Sequence, residues 1–529
     1  VSRHNPFIKK RRCLFFLFLF LTLAACNVHV PKDTQTLVWH LGAEPDTLNP
    51  ILATDVYASR IDSFIYETLL ERDNETLAFK PKLAESWEAS PDHLIFTFTL
   101  RPDLYWHDNI PLTVEDIIYS FQRIMDPKVD APHLRVYYQD IKTVEKVSDK
   151  VVRFIFKKPY FMALEFCGGM PIVPKHLYDN GLHFNRHPTN RAPLGTGPYR
   201  FVRWNTGKDI LLVRHEKYWG KKPDIRSIQF KVIAEDSVAL QVLKKGELDL
   251  ASLRPIQWVR QTDSKKFQEG FQKYEYYTPG YSFIGWNLRR PYFQDKRVRK
   301  ALTHLINREA ILKELNFGLG KLTTGPFYIE GPSYNHGVTL DPYDPETAKK
   351  ILHEAGWEDH DNDGILDHEG IPFRFEFLIP SGRRFAEGLA TIVKEDLSKV
   401  GIQVDINKLE WALFIQKLND HTFDAVTLGW SFGFEQDPYQ VWHSSQSDQG
   451  SNFVGFQNEK VDALIEKARV EFDLKSRSQM HQEIHSLIHE EQPYTFLFAS
   501  PSLVALNRRF HNVKVYPIGL DPLEWTVGP

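Results

Sequence analysis

At 529 residues the chain is too long for one compact domain, and 42% hydrophobic with 13% aromatic residues is ample for a large core divided among about three lobes. The balance of 65 Lys+Arg against 68 Asp+Glu, with no basic tract beyond the first dozen residues, excludes a nucleic-acid partner. Of Cys13, Cys26 and Cys167, the first two lie in the leader region, so the folded part holds only Cys167 and forms no internal disulfide.

Arg3, Lys9, Lys10, Arg11 and Arg12 precede the apolar run LFFLFLFLTL, which is too short to span a membrane and has the length of a secretory h-region. The next residues, Leu23-Ala24-Ala25-Cys26, resemble the bacterial lipobox. That resemblance implies a lipoprotein signal peptide over residues 1–25 and acylation of Cys26; a plain signal peptide cut after Ala25 is the alternative. Several acyl chains would hold the protein to a membrane where one would not. Loss of a leader with five basic and no acidic residues leaves 60 Lys+Arg against 68 Asp+Glu, a net charge of −8. No other apolar run approaches membrane-spanning length, so the chain is not itself a channel.

Residues 36–40 read as a first strand, 44–50 (EPDTLNP) as a turn and 57–70 as a helix. Leu94, Phe96, Phe98 and Leu100 alternate as a strand with one buried face, and Thr113 caps a helix in which Asp116 suits the positive N-terminal end. Residues 280–287 (GYSFIGWN) form a glycine-punctuated strand suited to pass between lobes and absorb a hinge rotation. Residues 359–370 (DHDNDGILDHEG) have the acidic alternation of a calcium loop. Gly370 stands where such a loop needs glutamate and 372–378 continue as a strand, so a polar hairpin is expected.

In residues 423–438 (FDAVTLGWSFGFEQDP), Val426 and Leu428 alternate as in a buried strand before Gly429, Gly433 and Pro438 break the pattern. The strand delivers Trp430, Phe432 and Phe434 to an edge beside Glu435 and Asp437, a surface that holds something rather than one that only packs. Gly429-Trp430-Ser431-Phe432-Gly433 matches a nucleophile elbow, yet no helix follows the serine as that chemistry requires. His481, His485 and His489 share a helical face bordered by Met480, Ile484 and Ile488. Without an HExxH they read as a solvated stripe rather than a zinc site. The pattern G-x-x-x-x-G-K-[ST] does not occur, so the chain has no Walker-type nucleotide site, and neither cofactor nor catalysis is expected.

A further set of motifs runs in order along the chain: Ala84-Glu85-Ser86-Trp87, Leu100-Arg101-Pro102-Asp103, His107-Asp108, Pro111-Leu112-Thr113 with Asp116, Gly195-Thr196-Gly197-Pro198-Tyr199 and Gly246-Glu247-Leu248-Asp249. Phe293-Gln294-Asp295 with Arg297-Val298-Arg299, Asn307-Arg308 and Ala355-Gly356-Trp357 continue it. From residue 37 to 521 the chain resembles the bacterial extracellular solute-binding proteins, family 5, that serve dipeptide, oligopeptide and nickel ABC transporters, and most of all their oligopeptide-binding branch. The resemblance implies an α/β, two-lobe periplasmic-binding-protein fold (type II, cluster C) with an extra subdomain and a hinge. Lobe I would be residues 27–66, 191–284 and 501–529, the extra subdomain 67–190, and lobe II 285–500.

It also implies a lipid-anchored receptor of the periplasm or cell envelope, monomeric and not an enzyme. Such a receptor captures small peptides and presents them to the permease subunits and ATPase of an ABC importer. Thr54 and Val56 match the family's backbone-contacting segment, with Trp411, Trp430, Ser431 and Asn452 opposite and Tyr277 and Tyr281 near the crossover; core packing is the competing role for the tryptophans and tyrosines. One position departs from the family. Many relatives carry, three residues after the equivalent of Trp430, an aspartate that pairs with the peptide's α-ammonium; here Gly433 stands there and Pro438 comes one residue late. A buried ammonium needs a partner, so Glu435 is expected to replace the aspartate, with Asp437 less suited. The alternatives are the same fold binding a metal chelate or saccharide, and a surface lipoprotein with a vestigial cleft.

Overall fold

A computed structural model describes residues 34–448 and 450–528; the leader and Cys26 lie outside the described residues. The strand Thr36–Leu41 is central in a seven-stranded sheet, running parallel to Ser227–Val232 and Leu250–Ser252, while the pairs farther out are antiparallel. Its near-continuous apolar run follows from burial on both faces, with Leu37 in one core cluster and Val38 in another. A four-stranded antiparallel sheet spans Ala84–Ala89 to Val151–Phe156 and buries Phe96, Phe98 and Leu100, as their alternation predicts. A five-stranded sheet is ordered Gln403–Leu409, Arg374–Pro380, Ala425–Ser431, Gly280–Trp286 and Tyr494–Phe496.

The seven- and five-stranded sheets are joined by two links lying side by side. Tyr277 pairs with Pro501, so the outward link through Thr278 and Pro279 runs beside the return through Ser500. Gly280–Trp286 is paired on both sides, to Ala425–Ser431 and to Tyr494–Phe496. It is therefore a sheet strand, and the links outside both sheets are Thr278 and Pro279 on the way out and residues 497–500 on the return, where Phe498–Ala499 pairs with Lys321–Leu322 instead.

The helix Val114–Met125 starts where expected because Asp116 accepts from the Thr113 N–H at 2.8 Å and from the Lys175 N–H at 2.8 Å. The helix Val56–Ile65, by contrast, stops short of the expected residue 70. Its end is set from far away: the Ile65 carbonyl accepts from the Gly197 N–H at 2.8 Å, and a Cβ on Gly195 would lie 1.9 Å from that same oxygen. Only glycine lets the two backbones meet so closely. His107 locks this turn by accepting from the Gly195 N–H at Nδ1 (3.3 Å) and donating from Nε2 to the Gly197 carbonyl (2.9 Å). That tautomer is neutral, and burial lowers the His107 pKa to about 4.

The histidines of helix Leu474–Glu491 correct the expectation of a solvated stripe: His481 is 2% exposed and His485 0%. A loop preceding them in sequence covers them. Ser333 Oγ lies 3.0 Å from His481 Nδ1, Thr324 Oγ1 lies 2.9 Å from His485 Nε2, and the Asn335 N–H donates to His485 Nδ1 at 3.2 Å. Asp359, Asp361 and Asp363 are exposed and accept largely from their own loop's backbone, ahead of the small hairpin Asp367–His368 and Ile371–Pro372. Among the described residues no helix is long and apolar enough to cross a membrane.

Candidate functional site

The strand Ala425–Ser431 runs from core to surface: Ala425, Val426 and Thr427 are buried, Gly429 and Ser431 exposed. Gly280–Trp286 pairs with its whole length on one side. On the other side the parallel strand Arg374–Pro380 meets only Ala425 and Val426, so from Thr427 to Ser431 the strand has a sheet neighbour on one edge alone. An open edge of this kind offers backbone donors and acceptors to an extended chain. Aromatic rings line its end: Trp430 stacks between Phe283 (6.4 Å) and Phe453 (5.9 Å), Phe432 packs on Tyr281 (5.7 Å), and Phe434 meets Tyr328 edge-on (5.9 Å). After Ser431 the chain turns, and the next helix is the short Tyr439–Trp442, so the serine does not sit in a strand-to-helix elbow.

Beside this turn lies a cavity of about 640 Å³ lined by Leu77, Tyr277 and Tyr516 together with Tyr328, Glu330 and Phe434. Tyr277 comes from the edge of the seven-stranded sheet and Phe434 from the aromatic turn. The Tyr328 hydroxyl, which donates to the Tyr277 carbonyl or to Glu330 (3.1 Å each), ties the two walls. The Lys321 ammonium, ion-paired with Glu330, sits 4.5 Å over the Tyr277 ring. Burial, with the Glu275 and Glu330 carboxylates adding, pushes the Tyr277 phenol up to about 12, so it stays a neutral donor. Walls of aromatic faces and scattered polar groups can hold an amphipathic solute.

The turn's two carboxylates are engaged unequally. Asp437 accepts from Tyr160 Oη (2.8 Å), Arg469 Nε (2.9 Å) and the Tyr439 N–H (3.1 Å). Glu435 has Arg477 at 3.6 Å. Asp437 raises the Arg469 pKa although burial opposes it, whereas burial lowers Arg477 and Glu435 only partly offsets this.

The other expected site residues are scattered. Thr54 is exposed, Val56 is 62% exposed at the start of its helix, and Trp411 is 51% exposed and stacked on Phe414. Among the described residues no hydrogen bond or ring contact joins Thr54 or Val56 to Trp430 or Ser431. Tyr281 is 5% exposed among Phe283, Phe432 and Phe496. Asn452 is fully buried, its amide donating to the carbonyls of His443 (3.3 Å) and Phe456 (2.7 Å) and accepting from the Phe456 N–H (2.9 Å). Sequence reasoning missed Tyr328, Lys321 and Glu330; the only cue was the aromatic, Gly/Pro-rich run GPFYIEGPSY at residues 325–334.

Residues 78–452 match the model of the bacterial extracellular solute-binding proteins, family 5. The chain is 31% identical over 508 residues to the oligopeptide-binding protein AppA of Bacillus subtilis, covering 92% of this chain and 90% of that one. The dipeptide-binding protein of Escherichia coli is 27% identical, covering 96% of this chain and 97% of its own. Among solved structures, AppA of Bacillus subtilis in complex with a nonapeptide superposes with a TM-score of 0.80 at 28% identity, covering 93% of this chain and 99% of that one. NikZ of Campylobacter jejuni in complex with Ni(L-His) gives 0.78 at 26%, with coverage of 93% and 99%. The fold is thus the two-lobe, type II periplasmic-binding-protein fold, its relatives are binding proteins rather than enzymes, and the chain belongs to the bacterial extracellular solute-binding proteins, family 5.

Proposed function

We propose that this protein is the extracytoplasmic, lipid-anchored receptor of an ABC importer and that it captures peptides. The observation that carries the reading is the half-open strand Thr427 to Ser431, whose unpaired edge and flanking rings suit an extended backbone with varied side chains. The similarity to a relative solved with a nonapeptide supports it. Thr54 and Val56 would face the peptide from lobe I, with Trp411, Trp430 and Ser431 on lobe II, Tyr277 beside the crossover and Glu435 at the peptide's amino end. Tyr281 and Asn452 would act from beneath, holding Phe432 and the 452–456 turn.

The lobe division 27–66, 191–284 and 501–529 against 285–500, with 67–190 as extra subdomain, is supported by the sheets, each drawn from one of these sets. The exception is Gly280–Trp286, which pairs wholly with lobe II strands. The receptor works as a monomer, tethered through acylated Cys26, and hands its load to permease subunits coupled to their ATPase. Cys26→Ser is expected to abolish incorporation of labelled fatty acid; a variant that still incorporates it rejects the tether.

Mass spectrometry of solute released by denaturing the purified protein tests the central reading, with peptides as the expected yield. A peptide library that leaves the melting temperature unmoved removes its main support. A second reading, the same cleft holding a metal chelate, is favoured by the comparable likeness to a structure solved with Ni(L-His), and recovery of a nickel chelate would select it.

A further inference from the structure

The helix Val56–Ile65 carries Arg60 on the same side as exposed Val56 and Ser63. The guanidinium lies 4.9 Å over the face of Trp39 and lines a cavity of about 370 Å³. The walls mix polar and apolar surface, the apolar part coming from Trp39, Phe64, Tyr276, Val504 and Leu520 and the polar part from groups such as Ser63 and Ser252. All of them belong to the seven-stranded sheet, the helix packed on it or the C-terminal segment, so this cavity exists without the five-stranded sheet.

Among the described residues the Arg60 side chain makes no hydrogen bond or ion pair. Burial lowers its pKa, and no carboxylate stands among the groups that oppose this, which are Tyr276 and Tyr57. Neighbouring His40, itself lowered by burial, supplies no negative charge. Asp521 also lines the cavity, where it accepts from Asn74 Nδ2 (2.9 Å) and the Leu523 N–H (3.0 Å) and makes no ion pair with Arg60. A largely desolvated cation is costly unless paired, and a guanidinium is shaped to take a carboxylate through two parallel N–H bonds.

We infer that this cavity is a second binding site, for a monocarboxylate bearing an aromatic or branched apolar group, with Arg60 holding the carboxylate and Trp39, Tyr276 and Leu520 the apolar body. The volume suits one such residue-sized group. A free organic acid and the C-terminal residue of a peptide present the same chemistry. The site does not depend on peptide capture at the Thr427 to Ser431 edge.

Calorimetry on the full chain at low salt tests it with 3-phenylpropionate and its neutral amide. The acid is expected to bind about tenfold or more tightly than the amide, the scale of a charge-assisted pair, and Arg60→Met is expected to erase the difference. Equal binding of acid and amide, no binding of the acid at millimolar concentration, or an acid affinity unchanged in Arg60→Met each overturns the site. The acid-versus-amide comparison is made on the unaltered protein, so it decides even if the variant folds poorly. A parallel pair, a peptide ending in free phenylalanine and its C-terminal amide, distinguishes the sources. Arg60-dependent preference for the free terminus marks a peptide site, and preference confined to the small acid marks a separate organic-acid site. The released-solute experiment reads the cleft, so either reading can fail while the other stands.

Discussion

Two residues apart in one turn, Glu435 and Asp437 have different capacity left for a ligand. Asp437 accepts three hydrogen bonds and is 14% exposed at its side chain. Glu435 is 27% exposed, and its guanidinium partner stands 3.6 Å away, longer than a direct hydrogen bond. Arg477 is held independently, donating to the Glu471 carbonyl at 2.8 Å and lying 4.4 Å over the Phe161 ring. Glu435 therefore keeps more acceptor capacity than Asp437, and an α-ammonium arriving at the aromatic turn would meet that carboxylate. Glu435→Gln is expected to weaken a free-amino peptide by about 1.5–3 kcal/mol, the range for hydrogen bonds to charged groups, and to leave its N-acetylated form almost unchanged. Calorimetry on both peptides decides; equal losses, or none, mean that Glu435 does not anchor the amino end. At Gly195 the expected effect is on folding instead. A methyl group 1.9 Å from the Ile65 oxygen has nowhere to go, because that oxygen belongs to backbone. Gly195→Ala is expected to cost about 3 kcal/mol or more, the upper end for overpacking, read as a lower denaturant midpoint; an unshifted midpoint shows that the turn yields freely.

The helix Leu474–Glu491 makes the same point for an element, through protons. Burial lowers His481 and His485 to about 3, aided by Arg477 beside the first and by His489 and His336 beside the second. An unfolded histidine titrates near 6.5. Above that value neither state binds the extra proton and stability is full. As pH falls from about 6.5 toward 3 the unfolded chain takes up protons that the folded chain refuses, so stability is lost. Urea midpoints should therefore drop between pH 7.5 and 5.5, a window in which ordinary carboxylates stay ionised. His485→Gln, able to keep a bond to Thr324 without titrating, should flatten the slope; an unchanged slope would place the effect elsewhere. What could be read from sequence follows from how local the cause is. The Asp116 cap was legible because donor and acceptor are three residues apart. The alternation of Phe96, Phe98 and Leu100 was legible because one sheet face is buried. The histidine face was misread because the covering loop begins 161 residues earlier, at Thr324. The end of Val56–Ile65 was misread because Gly197 sets it from another part of the chain. Even an accurate strand assignment at Ala425–Ser431 could not reveal which edge stays open, since that depends on where Arg374–Pro380 diverges.

At the scale of the molecule, the links between the sheets decide what can move. Thr278, Pro279 and Ser500 lie outside both sheets and side by side, so a rotation there disturbs no ladder, whereas one within Gly280–Trp286 would break pairing on two sides. A second seam joins the segment after the four-stranded sheet to the aromatic turn's neighbours: the Phe161 N–H donates to the Arg469 carbonyl at 2.9 Å, and Tyr160 reaches Asp437. His93 stacks on Phe472 at 3.6 Å in the same seam. A few polar and aromatic contacts of this kind can pivot or part at a cost that ligand binding is able to offset, unlike a continuous apolar interface. A peptide paired along the open strand edge gains most when the opposite wall closes over it, so bound and free protein should differ in mean shape. Small-angle scattering is expected to give a smaller radius of gyration with saturating peptide than without. The shift should persist in Tyr160→Phe, which removes one hydrogen bond of the seam and leaves the links untouched. An unchanged profile at saturation would mean that the lobes do not move on binding, and the protein would then act as a rigid surface; a shift lost in Tyr160→Phe would move the pivot from the links to the seam.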